Sequence, residues 1–222
     1  MSSTDAGLGK KISEHLVGLG VETPMDTGLR VDIGDKIAFD SIAQNQLHTM
    51  RALGLDMKDD SLQDTPKRVA KMYCHEIFHG LDYRNFPKCT TVENKMKYDE
   101  VITVQGIDLL SMCEHHFVPF HGTAAIAYIP STKVLRLSKF NRIVYFFCRR
   151  PQIQERLTMQ IAETLKLILE TEDVAVVTRA EHMCVKLRGV KQANTSTSVS
   201  KIAGRFKTKD SLRAEFFNLI KD

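Results

Sequence analysis

Apolar residues in the first half of the chain recur at the spacing of amphipathic helices. Between residues 39 and 53 they return at steps of three and four, which leaves one apolar face on a helix. A second helix is predicted to take Thr65 as its N-cap and Pro66 as its first residue, where proline loses no hydrogen bond. Gly80 is expected to end that helix, and a shorter helix is expected over residues 14–19.

After about residue 97 the pattern becomes that of strands separated by two helices. The predicted elements are strands over 101–107 and 121–130, a helix with Ser138 as N-cap, a helix starting at Pro151, and strands over 173–186 and 196–206, before a short terminal helix. This β-β-α-α-β-β order favours an antiparallel sheet with the helices on one face. The sequence therefore predicts an α+β protein with an N-terminal helical region, 1–96, and a second domain, 97–222.

Composition narrows the class of protein. Hydrophobic residues make up 43% of the 222 residues, which is enough for a globular core. No apolar run approaches the roughly 18 residues of a membrane span, so no membrane partner is predicted. An odd count of five cysteines without a secretion signal argues against a disulfide framework and predicts a cytoplasmic protein. The net charge of +4 is mild, and no nucleic-acid partner is predicted.

Two short motifs carry the ligand types that zinc prefers, thiolate and imidazole. Cys113 and His116 have a C-x-x-H spacing that one turn can wrap around an ion. His182 and Cys184 are two apart in a predicted strand, so their side chains should share a face. A closed structural site with two cysteines and two histidines remains an alternative to a catalytic site, although it leaves His115 unused.

Basic residues near predicted helix starts suggest an anion site. Lys139 and Arg142 share a face in the first turns of a helix, where the helix dipole disfavours cations unless an anion is bound. An ordinary solvated basic face is the alternative. A polyphosphate pocket could draw on the following residues: Ser138, Lys139, Arg142, Arg188, Arg68 and Lys71.

Gln154 and Glu155 follow Pro151 closely, at the start of the next predicted helix. A carboxylate can accept the two parallel N–H groups that a guanine edge offers. A favourable charge at a helix start explains Glu155 equally well.

Together these residues resemble the GTP cyclohydrolase I family, in its bacterial form. The matching segments, in family order, are DTPKRVAKMY at 64–73, GLDYRNFPK at 80–88, CEHHFVPFHG at 113–122, YIP at 128–130, LSKFNRIV at 137–144, RRPQIQERLT at 149–158 and EHMCVKLRGV at 181–190. The resemblance implies a tunnelling fold, a zinc cofactor, and conversion of GTP and water to formate and 7,8-dihydroneopterin triphosphate, the first step of pterin and folate synthesis. It also implies a toroidal homodecamer of two pentamers with active sites between subunits.

The same resemblance implies a role for each candidate residue. It assigns zinc binding to Cys113, His116 and Cys184; catalysis to His115 and His182; guanine recognition to Gln154 and Glu155; and triphosphate binding to Ser138, Lys139, Arg142 and Arg188, with Arg68 and Lys71 joining from a neighbouring subunit. Two other interpretations stay open: a purine- or pterin-binding protein of this fold without turnover, and a zinc-stabilised nucleic-acid module. A nucleoside deaminase is disfavoured because its P-C-x-x-C signature is missing.

Overall fold

The computed structural model describes residues 3–26 and 35–221. Its α-helices are α1 (Ala6–Gly18), α2 (Lys36–Ala52), α3 (Thr65–Lys71), α4 (Ser138–Cys148), α5 (Gln154–Leu169), α6 (Met183–Lys186), α7 (Gly204–Thr208) and α8 (Asp210–Leu219). A π-helical segment (Met72–Ile77) and 3-10 turns (His79–Leu81 and Tyr83–Asn85) follow α3. The strands are β1 (Thr91–Glu93), β2 (Ile102–Cys113), β3 (Pro119–Tyr128), β4 (Lys133–Leu135), β5 (Pro151–Gln152), β6 (Val174–His182) and β7 (Thr197–Ile202).

One five-stranded sheet organises the molecule, in the order β5-β2-β3-β6-β7. Its long neighbours are antiparallel, and only the two-residue β5 runs parallel to β2. The small β1–β4 ribbon lies apart from this sheet. The predicted mixed fold with a mainly antiparallel sheet is therefore confirmed.

The main core lies between one face of the sheet and helices α4 and α5, as the sequence predicts. Ile12 and Leu16 of α1 are fully buried in the same core. The opposite face is not left bare, because Phe206 and Phe216 of α7 and α8 pack on it in a second cluster. The terminal helices thus add a layer that the prediction of helices on one face did not include. Within the described residues, no helix is both long and apolar enough to cross a membrane.

Several element boundaries differ from the predicted ones for local reasons. Alternation along β2 is interrupted by a bulge at Gly106, whose φ of +69° a glycine adopts at little cost. Gln105 is therefore exposed and Ile107 buried, although the regular alternation of the predicted strand over 101–107 would place both on one face. Gly80 lies in a 3-10 turn instead of ending α3, and a Cβ there would lie 2.3 Å from the carbonyl oxygen of Phe146. The close approach of the Phe146 backbone therefore explains why position 80 is a glycine.

Three predicted helix starts are wrong in detail. Asp64, not Thr65, is the N-cap of α3, and Leu137, not Ser138, is that of α4. Pro151 belongs to β5, because it pairs with Met112 of β2, and α5 begins only at Gln154.

Candidate metal centre and active site

A tight loop between β2 and β3 forms the first half of the candidate metal centre. Cys113 ends β2, and its backbone N–H donates to the Val118 carbonyl at 2.9 Å. The Phe117 N–H returns to the Cys113 carbonyl at 2.9 Å, with Phe117 in the left-handed region at φ +53°. This closure brings His116 back beside Cys113, with 3.8 Å between Nδ1 and Sγ.

The second half comes from the end of β6. Strand β3 lies between β2 and β6, so both halves reach the same end of the sheet. The sequence predicted that Cys184 would continue strand β6. Cys184 instead lies in the short helix α6, which turns its thiol toward Cys113. Ligand atoms of Cys113, His116 and Cys184 all lie within 4.8 Å of one another. Burial and the neighbouring Cys113 raise the pKa of the Cys184 thiol.

This donor set fits a metal ion that prefers sulfur and nitrogen. Two thiolates and one imidazole are typical of a zinc site that keeps its fourth position open. Neither His115 nor His182 belongs to the cluster of possible ligands in the described part of the chain. The arrangement therefore favours a three-ligand site over the closed structural site that the spacing also allowed.

His182 stands beside the cluster in a fixed orientation. Its ring stacks on buried Phe120, with centroids 4.8 Å apart and planes 13° apart. Its Nε2 lies 2.8 Å from Oε1 of Gln154. Burial lowers the pKa of His182, and the charge of Glu155 partly opposes that shift. The His182 ring is therefore half-buried and held in place beside the cluster of possible metal ligands.

His115 is more open to solvent and has a carboxylate neighbour. Its Nε2 lies 3.9 Å from Oε1 of Glu114. Glu114 is held by the guanidinium of Arg156, whose Nη2 lies 3.3 Å from Oε1, and by its own N–H bond to the Gln152 carbonyl. The sequence assigned no role to Glu114, although it lies in the candidate metal-binding motif, and Arg156 was not selected as a site residue. Both residues lie inside segments that resemble the family, Glu114 in 113–122 and Arg156 in 149–158, and this was the signal in the sequence that could have identified them.

Two more predicted residues lie at this end of the sheet. Nη1 of Arg188 is 2.8 Å from Nε2 of His116. Glu155 is exposed in the first turn of α5, directly after Gln154. One chain thus brings together the metal cluster, both histidines, Arg188 and Glu155.

The predicted triphosphate residues of α4 lie far from that end. We call the end of the sheet that carries Cys113, His116 and Cys184 the metal end. The last turn of α4 lies there, because the Ser111 hydroxyl donates to the Cys148 carbonyl at 2.8 Å. Lys139 precedes Cys148 by nine residues, or about 14 Å of helix, so it lies on the order of 20 Å from Cys113. The residues concerned are Ser138, Lys139 and Arg142. A single chain does not bring them to the metal.

Arg68 and Lys71 also stay apart from the metal centre. They lie on α3, which packs mainly against α2. Arg68 forms a long, exposed ion pair with Asp64 at 3.9 Å. Among the described residues, neither cation is hydrogen-bonded to a group at the metal end.

Comparison with known proteins agrees with this geometry. The family model described as GTP cyclohydrolase I matches residues 42–221. The GTP cyclohydrolase 1 of Vibrio cholerae is 50% identical over 209 residues, covering 94% of this chain and 95% of the relative. Those of Erwinia tasmaniensis and Yersinia enterocolitica are 49% and 48% identical over 210 residues, each covering 95% of this chain, and 95% and 94% of the respective relative. A match of this extent, on a chain whose C-x-x-H loop and distant cysteine meet in space, shows that the chain belongs to the GTP cyclohydrolase I family.

Proposed function

We propose that this chain hydrolyses and rearranges GTP to formate and 7,8-dihydroneopterin triphosphate, the entry reaction of pterin and folate synthesis. The observation that carries the proposal is the three-ligand cluster of Cys113, His116 and Cys184 with two further histidines beside it. A purine-binding protein without turnover would need neither an open metal position nor two proton-transfer groups next to it.

Zinc is the ion we propose for the cluster, held by Cys113, His116 and Cys184. When bound there it would supply a Lewis acid that lowers the pKa of a coordinated water. If Nδ1 of His116 binds the ion, Nε2 must carry the ring proton. Arg188 can only donate, so it would lose its acceptor on His116 and become available to an anion.

The remaining residues divide into groups that hold the substrate and groups that move protons. Glu155 is exposed at the metal end and can accept both N–H groups of a guanine edge, which orients the purine. His182 is our candidate for protonating the purine nitrogen as the five-membered ring opens. His115, near the Glu114 carboxylate, is our candidate for assisting the opening of the ribose.

The triphosphate half of the site is proposed to come from neighbouring copies of the chain. Ser138, Lys139 and Arg142 are too far from the metal end of their own chain to hold the same GTP. A symmetric assembly solves this, because α4 of one copy can face the metal end of the next. We propose the toroidal decamer of two pentamers for that assembly, with Arg68 and Lys71 supplied by a further neighbour.

Two broader assignments accompany this proposal. Residues 97–222 would form the catalytic tunnelling-fold domain, and 1–96 the helical region that supports it. A reducing compartment such as the cytoplasm suits a site built on free thiols, and the five cysteines are unpaired.

A turnover assay tests the proposal directly. Zinc-replete protein is incubated with GTP, and formate and pterin fluorescence are both measured. We expect both products in equal amounts, their loss on removal of the metal by a chelator, and their return when zinc is added back. GTP binding without either product, in a sample of confirmed zinc content and assembly, would instead establish a non-catalytic binding protein. Salt-sensitive binding of generic nucleic acid without turnover would favour the nucleic-acid module.

A further inference from the structure

The side-chain amide of Gln154 has only one orientation that its surroundings accept. The residue is 2% exposed. Its Nε2 lies 3.1 Å from the carbonyl oxygens of both Thr178 and Thr197. A carbonyl oxygen can only accept, so the NH₂ group must face these two atoms and the amide oxygen must point away. The reversed amide would place three acceptors together in a buried position.

Two threonine hydroxyls lock this orientation. The Thr158 hydroxyl donates to the Gln154 backbone carbonyl at 2.7 Å. Because it has a single proton, it must accept from the Thr178 hydroxyl, 2.8 Å away. The Thr178 hydroxyl is then left to accept from Nε2 of Gln154 at 3.0 Å. These hydrogen bonds form a closed cycle in which each group donates to the next, from the Gln154 amide to the Thr178 hydroxyl, to the Thr158 hydroxyl and back to the Gln154 carbonyl.

The fixed amide determines which nitrogen of His182 carries a proton. The Gln154 amide oxygen only accepts, and it lies 2.8 Å from Nε2 of His182. Nε2 must therefore be the N–H of the neutral ring, and Nδ1 must hold the lone pair. Phe120 keeps the ring plane in place by stacking. In the part of the chain that the structure describes, Nδ1 has no hydrogen-bonding partner and is not sealed in the interior.

We propose that Gln154 is a positioning residue that holds His182 in the Nε2–H tautomer, so that Nδ1 is the atom that exchanges a proton with the substrate. The proton exchange between Nδ1 and the substrate rests on the proposed function. The Nδ1 lone pair takes a proton from the attacking water, whose oxygen bonds to the purine carbon, and Nδ1 then gives that proton to the purine nitrogen while the C–N bond breaks and its electron pair moves to that nitrogen. The ring thereby returns to its neutral Nε2–H form. Guanine recognition, which the family resemblance shares between Gln154 and Glu155, falls to the exposed Glu155.

The first test reads the tautomer without using turnover. Assembled, zinc-containing protein labelled with ¹⁵N-histidine is measured by solid-state NMR, and His182→Asn identifies the signals of His182 among those of the eight histidines. We expect an N–H-type signal from Nε2 and a lone-pair-type signal from Nδ1. In Gln154→Met, which keeps length but has no acceptor, both signals should move toward a mixture of tautomers.

A matched control separates this effect from general damage to the core. Gln160 is a fully buried glutamine on the same helix, bonded to Gln152 and to the Val21 carbonyl, not to His182. Gln160→Met should leave the His182 signals unchanged. The proposal is overturned if wild-type His182 carries its proton on Nδ1, or if Gln154→Met leaves the tautomer as it was.

A second measurement distinguishes positioning from guanine binding. In Gln154→Met we expect kcat for GTP to fall roughly 10- to 100-fold, with a much smaller change in KM. A loss confined to KM would overturn the positioning role and support guanine contact. If wild-type protein with the expected tautomer gives no turnover at all, the proposed function fails while the tautomer assignment stands.

Discussion

The two ends of the sheet differ in how much of the candidate site a single chain builds. At the metal end, Cys113, His116 and Cys184 are brought together by backbone hydrogen bonds and strand order within one chain. At the start of α4, Lys139 is 9% exposed, yet in the described part of the chain it forms no ion pair. The cluster of possible ligands is thus preassembled within one chain, whereas we propose that the cationic residues of α4 complete a site of another copy.

The largest effect should come from removing a ligand at the preassembled end. Cys184→Ser replaces a thiolate with a poor zinc ligand, so we expect loss of bound zinc and a fall in turnover of at least about 1,000-fold. Zinc content is measured by atomic emission and turnover by pterin fluorescence. Cys74→Ser, at a buried cysteine of the π-helical segment, is the matched control and should keep its zinc. Retained zinc in Cys184→Ser would remove Cys184 from the metal centre.

An effect of intermediate size on turnover is expected when two variants, each defective at one of the two ends, are mixed and reassembled. Cys184→Ser and Lys139→Ala are prepared separately, mixed in equal amounts under denaturing conditions and reassembled. If one site takes Cys184 from one chain and Lys139 from another, about a quarter of the sites regain both residues. Activity at low GTP should recover accordingly. If both residues served the same site from one chain, mixing would restore nothing, and the comparison between the two ends would be wrong.

The helices and strands were largely predictable because their apolar periodicity reflects burial on one face. Residues that break this rule could not be predicted. Cys184 shows this: its apolar neighbours read as strand, but the chain turns into α6 after His182. The bulge at Gly106 likewise depends on pairing with β3, which periodicity does not encode.

The site was predictable in its residue types and not in its geometry. Thiolate and imidazole spacing suggested zinc, but the meeting of His116 with Cys184 depends on β3 lying between β2 and β6. The hydrogen bonds of Gln154 with Thr178 and Thr197 join residues far apart in sequence, so no local pattern could reveal them. The separation of Lys139 from Cys113 required the direction of α4.

A third region of the chain, around Arg150, supports the strand that carries Cys113 from outside the metal end. Arg150 is fully buried and donates to Glu22 at 2.8 Å, beyond the end of α1. It also lies 5.0 Å from the ring centroid of Tyr83. The next residues, Pro151 and Gln152, pair with the end of β2 that carries Cys113. The N-terminal segment thus neutralises a buried charge beside the strand that bears a metal ligand.

The smallest effect on turnover, with a clear effect on stability, should follow Glu22→Gln. The change leaves the Arg150 charge buried without its counter-ion, so the free energy of unfolding should fall by about 3–5 kcal/mol. Guanidinium unfolding at fixed protein concentration measures this loss. The exposed Glu14→Gln, which loses only its pair with Lys10, should cost less than about 1 kcal/mol. Because Glu22 touches no ligand of the metal, zinc content and kcat should change by no more than a few-fold. A large loss of zinc in folded Glu22→Gln would instead show that the N-terminal segment shapes the metal centre itself, and that the loop after β2 and helix α6 do not build it alone.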